Sequence, residues 1–245
     1  MADHTFNKSI ETIVLESGAH PFATNVNNDN IETVLSHYLG MSVAFPYLQA
    51  GAIGRVFERV LRSNEDVDVA IEATSAVASF LVWDEFGGHA KILADGVRAL
   101  PSILETRSFH ANLLRGDIRH LFGKELKPSF AEPTGTYLQA LYDGLASDDV
   151  LDRAAHMVAF ERHAGIMIDA LWSSLGHAKS VPPESLSYFY THVGGDDPAE
   201  AYHIEMTGKM LSKVVCAAEW AGFLRSFELA YKLNFEWCRD ITLIN

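Results

Sequence analysis

The stretch IETVLSHYLGMSVAFPYLQAGAIGRVFERVL, residues 31–61, decides how the whole chain is read. Its apolar residues Val34, Leu35, Tyr38, Leu39, Val43, Tyr47 and Leu48 fall mostly three or four apart, the stripe of a helix with one face on a core. Pro46 lies inside the stripe, and its missing N–H bends such a helix rather than ending it. The same period continues outward. Residues 66–86 read as a helix apolar on more than one face, hence central, and 89–100 resume the pattern after Gly87-Gly88 until Pro101. Residues 112–122 form a shorter helix closed by Gly123, and 128–133 form a loop bounded by prolines.

Two further helices are expected over 134–145 and 149–175, divided by Ser147-Asp148, with one of that pair as N-cap and Gly176 as C-cap. A helix beginning in 182–191 is interrupted by the GGDDP run at 194–198 and continues over 199–211. The last helix spans 213–239 and is rich in Trp, Phe and Tyr. No strand alternation, internal repeat or linker divides the chain. The expected architecture is all-α: one domain over 1–245, a bundle of seven or eight helices.

Composition excludes several classes of function. The net charge of −13 leaves no basic face for nucleic-acid phosphates, and it disfavours an anionic membrane surface. No run approaches the roughly 20 apolar residues that span a bilayer. The opening MADHTFNKSIETIVLESG lacks the pattern of a secretory signal. Two cysteines, Cys216 and Cys238, are too few for a disulfide framework and point to a reducing compartment. The cytoplasm is the expected location.

Three segments place ionisable side chains inside apolar helices, where an unpaired charge is costly. In FLVWDEFGGH, residues 80–89, Glu85 and His89 are four apart and share a face if the helix survives the glycines; Asp84 points elsewhere. In MVAFERHAGIM, residues 157–167, Glu161 lies among apolar residues, and His163, two positions on, faces about 200° away. In YFYTHVGGDDPAEAYH, residues 188–203, Glu200 and His203 have the Glu-x-x-His spacing that puts both on one face, and His192 and Asp196 are four apart. Each segment also has a purely structural reading: Gly87 as a helix cap, a Glu161–Arg162 surface pair, Asp197 capping a helix that starts at Pro198. Together, three central helices offering carboxylate and imidazole suit a pair of iron ions, which take hard anionic oxygens mixed with neutral imidazole.

The remaining histidines carry simpler readings. His4, His20, His110, His120 and His177 lie near ends or loops and read as solvated; His37, His156 and His163 read as helix residues satisfied by partners. Trp220, Phe223, Phe227, Tyr231, Phe235 and Trp237 read as core or homodimer packing.

The order of these residues resembles the haem-oxygenase-like di-iron oxidases, which share a fold with haem oxygenase and thiaminase-like proteins. The resemblance runs from about residue 31 to 239 and rests on sparse ligand spacing with the texture of DEFGGH and YFYTH. It implies Glu85 and His89 as the first ligands, Glu161 as the middle carboxylate, and His192 and His203 as the last imidazoles with a carboxylate between them. Glu200 is preferred to Asp196 for that role because it is in register with His203. Two departures stand out: relatives separate the first Glu and His by more residues, and four extra residues lie between His192 and His203. The resemblance further implies two iron ions cycling between Fe(II) and Fe(III), O2 as co-substrate, and a small organic substrate, an amino acid or derivative by preference. Reactions in such relatives include N-oxygenation, desaturation with C–C cleavage and nitrile formation. A thiaminase-like hydrolase of the same fold, needing a cysteine nucleophile, and a non-catalytic helical binding protein are the alternatives.

Overall fold

A computed structural model describes residues 2–64, 66–195 and 198–244, except the side chains of 2–6 (His4 among them), 93–95 and 97–100. Eleven α-helices follow in order among these residues: α1 Ala2–Glu16, α2 Pro21–Asn25, α3 Ile31–Ser63, α4 Val69–Glu85, α5 Gly88–Asp95, α6 His110–Phe122, α7 Thr134–Leu145, α8 Val150–Lys179, α9 Ser187–Val193, α10 Ala199–Val214 and α11 Trp220–Thr242. Short 3₁₀ turns occupy Val97–Leu104, Thr106–Ser108 and Pro183–Ser185. The all-α class stands, with more and shorter pieces than the seven or eight expected.

Backbone chemistry explains where the pieces end. Pro46 sits inside α3, which runs unbroken for 33 residues. Asp68 caps α4 by accepting the N–H of Ile71 at 2.7 Å, and α4 stops at Glu85 because Gly87 turns left-handed at φ 76°. The cap of α8 is Asp149, which accepts the N–H of Leu151 at 2.8 Å, rather than Ser147 or Asp148. Gly176 does not end α8; the helix continues to Lys179 and closes at left-handed Ser180, because the buried Leu171 and Leu175 hold its last turns against the core. The expected cap Asp197 lies outside the described residues.

The centre of the bundle is α8, which packs against α11, α10, α7, α4, α2 and α9. Small buried residues along it, Ala154, Ala155, Ala159 and Ala164, let those helices approach closely. The aromatic tail is core: Phe223, Phe227 and Tyr231 stack in series along α11, and Trp237 stacks on Tyr137 at 4.6 Å while its Nε1 donates to Thr134. Each such buried ring contributes roughly 1.5–3 kcal/mol relative to exposure. Trp220 and Phe235 are only partly buried. Among the described residues no helix is long and apolar enough to cross a membrane.

Candidate metal centre

Five helices bring ionisable side chains to one buried place. The last turn of α4 supplies Asp84 and Glu85, the first residue of α6 is His110, α8 gives Glu161, α9 gives His192, and α10 gives Glu200 and His203. They sort into two triads. Glu85, His110 and His192 form one, Glu161, Glu200 and His203 the other, and within each the three donor atoms lie within 4.8 Å of one another.

The second triad is built around an imidazole held from both sides. Nδ1 of His203 lies 3.0 Å from Oε2 of Glu161, and Nε2 lies 2.8 Å from Oδ2 of Asp84. Burial opposes the imidazolium, but Glu161 and Asp84 outweigh it and hold the His203 pKa well above its usual value. Burial also opposes ionisation of Asp84, yet the hydrogen bond with His203 and the nearby imidazoles bring its pKa down to about 2. Glu200 reaches the triad past Gly165 of α8, where a Cβ would lie 3.0 Å from its Cγ. Burial, then the neighbouring carboxylate of Glu161, pushes the Glu200 pKa up to about 8.

The first triad has two imidazoles and one carboxylate. His192 donates from Nδ1 to the carbonyl of Tyr188 at 2.7 Å, which leaves the Nε2 lone pair free. Burial, with His110 adding to it, keeps His192 neutral by driving its pKa well down. The His110 ring lies 4.4 Å from that of His192, and its Nδ1 is 3.5 Å from Oε2 of Glu85. Helix α9 is positioned by α6: the Asp117 carboxylate accepts the N–H groups of Ser187 and Tyr188, each at 2.8 Å, and so caps α9 from outside.

Four buried polar atoms of this cluster have no hydrogen-bond partner: Asp84 Oδ1, His110 Nδ1, Glu161 Oε1 and Glu200 Oε1. Native interiors seldom leave such atoms unsatisfied. Here they gather at one centre, and three of the four are carboxylate oxygens. A small cavity of about 20 Å³, room for little more than a water molecule, adjoins it, walled by Met41, Phe45, Phe160, Met167, Ile168 and Tyr188. Phe45 and Phe160 stack at 4.0 Å, and the Tyr188 hydroxyl pairs with that of Tyr38 at 2.9 Å.

The structure brings together Glu85, Glu161, His192, Glu200 and His203 as the sequence suggested. It does not bring in His89. The break at Gly87 abolishes the four-residue register with Glu85, and His89 instead meets Tyr202 edge-on with Nδ1 3.9 Å from Asp84 Oδ1. His110 takes its place, buried where a solvated residue was expected. The wide Glu–His spacing of the resembled family was the available signal, since His110 follows Glu85 by far more than four positions. Asp84 was also missed; it faces His203 rather than pointing away. Asp196 lies outside the described residues. His163 faces away from the centre, as its angle on α8 required, and its Nε2 lies 3.2 Å from that of His20, which is buried rather than solvated. His37 is satisfied by Thr134 and Ser129, and His120 and His177 are exposed.

No protein-family model and no curated protein matches the sequence. Solved structures do. Two crystal structures of a CADD-like protein of unknown function from Nostoc punctiforme PCC 73102 superpose with TM-scores of 0.70 and 0.66 at 12% identity, covering 98% of this chain and 97% and 95% of theirs. CADD-like proteins have the haem-oxygenase-like helical fold, and the likeness establishes that fold for this chain.

Proposed function

We propose that this chain is an O2-dependent non-haem di-iron oxidase acting on a small organic substrate, an amino acid or derivative, in the reducing cytoplasm. The observation that carries the reading is the convergence of three carboxylates and three imidazoles in two triads, with four buried polar atoms lacking partners between them. The donor set fits iron: two imidazoles and one carboxylate is the arrangement of non-haem Fe(II) sites, and hard oxygen donors balance the charge of an oxidised pair. Glu85, His110 and His192 would hold one ion, and Glu161, Glu200 and His203 the other. Asp84, on Nε2 of His203, would orient that ring and raise its basicity.

When bound, the iron pair supplies activation of O2 for two-electron oxidation of the substrate. The protein's own work is positioning and exclusion. Phe45, Phe160, Met167 and Ile168 keep water from the centre, and these side chains would part to admit the apolar part of the substrate. Glu200, protonated below about pH 8 in the metal-free protein, gives up that proton when its oxygen becomes a ligand. Tyr188 lies with its ring 4.3 Å from that of His192 and closes the cavity beside the first triad. N-oxygenation, desaturation with C–C cleavage and nitrile formation all fit such a site.

Neither cysteine suits the hydrolase alternative. Cys216 is exposed and Cys238 fully buried, and neither lines the cavity. The test is anaerobic titration with Fe(II) followed by O2. Two irons per chain and a transient visible absorption, absent from Glu161→Ala, are expected. Less than one iron per chain, or no spectral response to O2, would overturn the reading in favour of a scaffold.

A further inference from the structure

A second group of donor atoms lies on the opposite face of α8. His20, at the N-cap of α2, His163 of α8 and Cys238 of α11 are all buried, and their donor atoms lie within 4.8 Å of one another. They come from parts of the chain far apart in sequence, and the di-iron reading uses none of them.

The two imidazoles face each other through Nε2 at 3.2 Å, with ring centroids 5.1 Å apart. Two imidazole nitrogens each about 2.0 Å from a shared ion lie roughly 3.3–3.5 Å apart at tetrahedral or trigonal angles. The rings therefore already stand at coordination distance. Nδ1 of His20 accepts the N–H of Phe22 at 3.1 Å, so the proton of the neutral ring is on Nε2 and points at His163. An ion would take the place of that proton.

The surroundings select the kind of ion. Phe22, Phe235 and Tyr231 pack against the imidazoles. The His20 and Cys238 pKa values are displaced by burial alone, with no charged side chain contributing. A divalent ion with one thiolate would leave a net positive charge in this apolar setting, whereas a monovalent ion leaves none. Thiolate with imidazole in a three-donor set is the soft environment that suits Cu(I). Burial also keeps any substrate from the Cys238 sulfur, so a nucleophilic role for it does not fit. Phe235 also walls a surface cleft that carries Glu16, Glu228 and Glu236 together with Lys232 and Arg239.

We propose that His20, His163 and Cys238 form a binding site for one monovalent thiophilic ion, Cu(I), separate from the di-iron centre. Binding releases one proton, from the Cys238 thiol. The His20 proton moves from Nε2 to Nδ1, which frees the Nε2 lone pair for the ion; Nδ1 then no longer accepts from the Phe22 N–H, and the first turn of α2 shifts so that the two N–H groups part. No redox change is involved.

The test is anaerobic Cu(I) titration of the full chain against a copper(I) chelator, read by metal stoichiometry and by the near-ultraviolet thiolate-to-copper band. Wild type and Cys216→Ser are expected to retain one Cu(I) per chain with the band; Cys238→Ser and His20→Ala lose both. Cys238→Ala keeps the site apolar, without a buried hydroxyl, and carries the test if Cys238→Ser does not fold. Glu161→Ala is expected to keep the copper band, because the carboxylate–imidazole centre contains no thiolate, and so the two sites fail or stand separately. Wild type yielding Cu(I) to the chelator as readily as Cys238→Ala, or a band that survives Cys238→Ala, would overturn the proposal.

Discussion

Nε2 of His203 lies 2.8 Å from Oδ2 of Asp84, while its Nδ1 faces Glu161 at 3.0 Å. A ring held in this way has one nitrogen for a metal and the other for an orienting carboxylate. Asp84→Asn keeps a carbonyl oxygen but loses the charge. It is expected to weaken Fe(II) binding about 10- to 100-fold while leaving the fold intact by circular dichroism. An unchanged Fe(II) isotherm for Asp84→Asn would mean that Asp84 only packs.

His110 and His89 can be told apart by counting iron. His110→Ala is expected to drop the anaerobic stoichiometry from two irons per chain to one, since it removes a donor from the first triad alone. His89→Ala should still hold two. A variant pair behaving the other way round would restore His89 as the ligand and reject the geometry at the end of α4.

Glu200 makes the stability of the iron-free protein depend on pH with a definite sign. Its pKa rises from 4.5 to about 8 on folding, so between those values the folded chain binds the proton that the unfolded chain has lost. Its contribution is full below about pH 4.5 and is lost as pH rises through about 8. The raised His203 pKa acts in the same direction above pH 6.5. Asp84, depressed to about 2 from 3.8, acts oppositely but only in strong acid. Below about pH 7 the lowered pKa values of His20, His37, His163 and His192 oppose this trend. Between about pH 7 and 8.5, where those histidines are neutral folded or unfolded, thermal midpoints of the iron-free wild type should fall, and those of Glu200→Gln should fall less. Parallel profiles would remove Glu200 as the source.

Gly40 sits where α3 meets the loop before α7. Ser129 donates its N–H to the carbonyl of Ser36 at 2.8 Å, and a Cβ on Gly40 would stand 2.2 Å from the Ser129 carbonyl oxygen. Gly40→Ala is expected to cost about 1–3 kcal/mol by forcing this close approach apart. Urea denaturation measures it, with iron binding per folded chain unchanged. A midpoint equal to wild type would show that the loop yields freely.

Much of this was legible in the chain itself. Apolar residues at helical spacing gave α3, α7 and α8 with little error, because burial of a stripe sets both sequence pattern and structure. Glu200 and His203 were readable for the same reason: one continuous helix fixes their common face. His110 was not, since it is the first residue of a helix that follows a run of 3₁₀ turns, and no periodic register links it to Glu85. Asp84 was hidden differently. Adjacent residues on a helix point about 100° apart, which ordinarily sends one of them to solvent. Here the end of α4 meets α10 on one side and is open to His110 on the other, so both neighbours face donors of the centre. The split of the chain at Gly87 turned a four-residue spacing into a false lead.

The Asp117 carboxylate ties the start of α9 to the middle of α6. Each of these helices carries one imidazole of the first triad, so His110 and His192 belong to a single stapled unit whose jaws are set before any ion arrives. The second triad is aligned between α8 and α10 mainly by charge, through His203. The protein thus prepares its two halves by different means, mechanical locking for one and electrostatic tension for the other, and an arriving cation relieves only the latter.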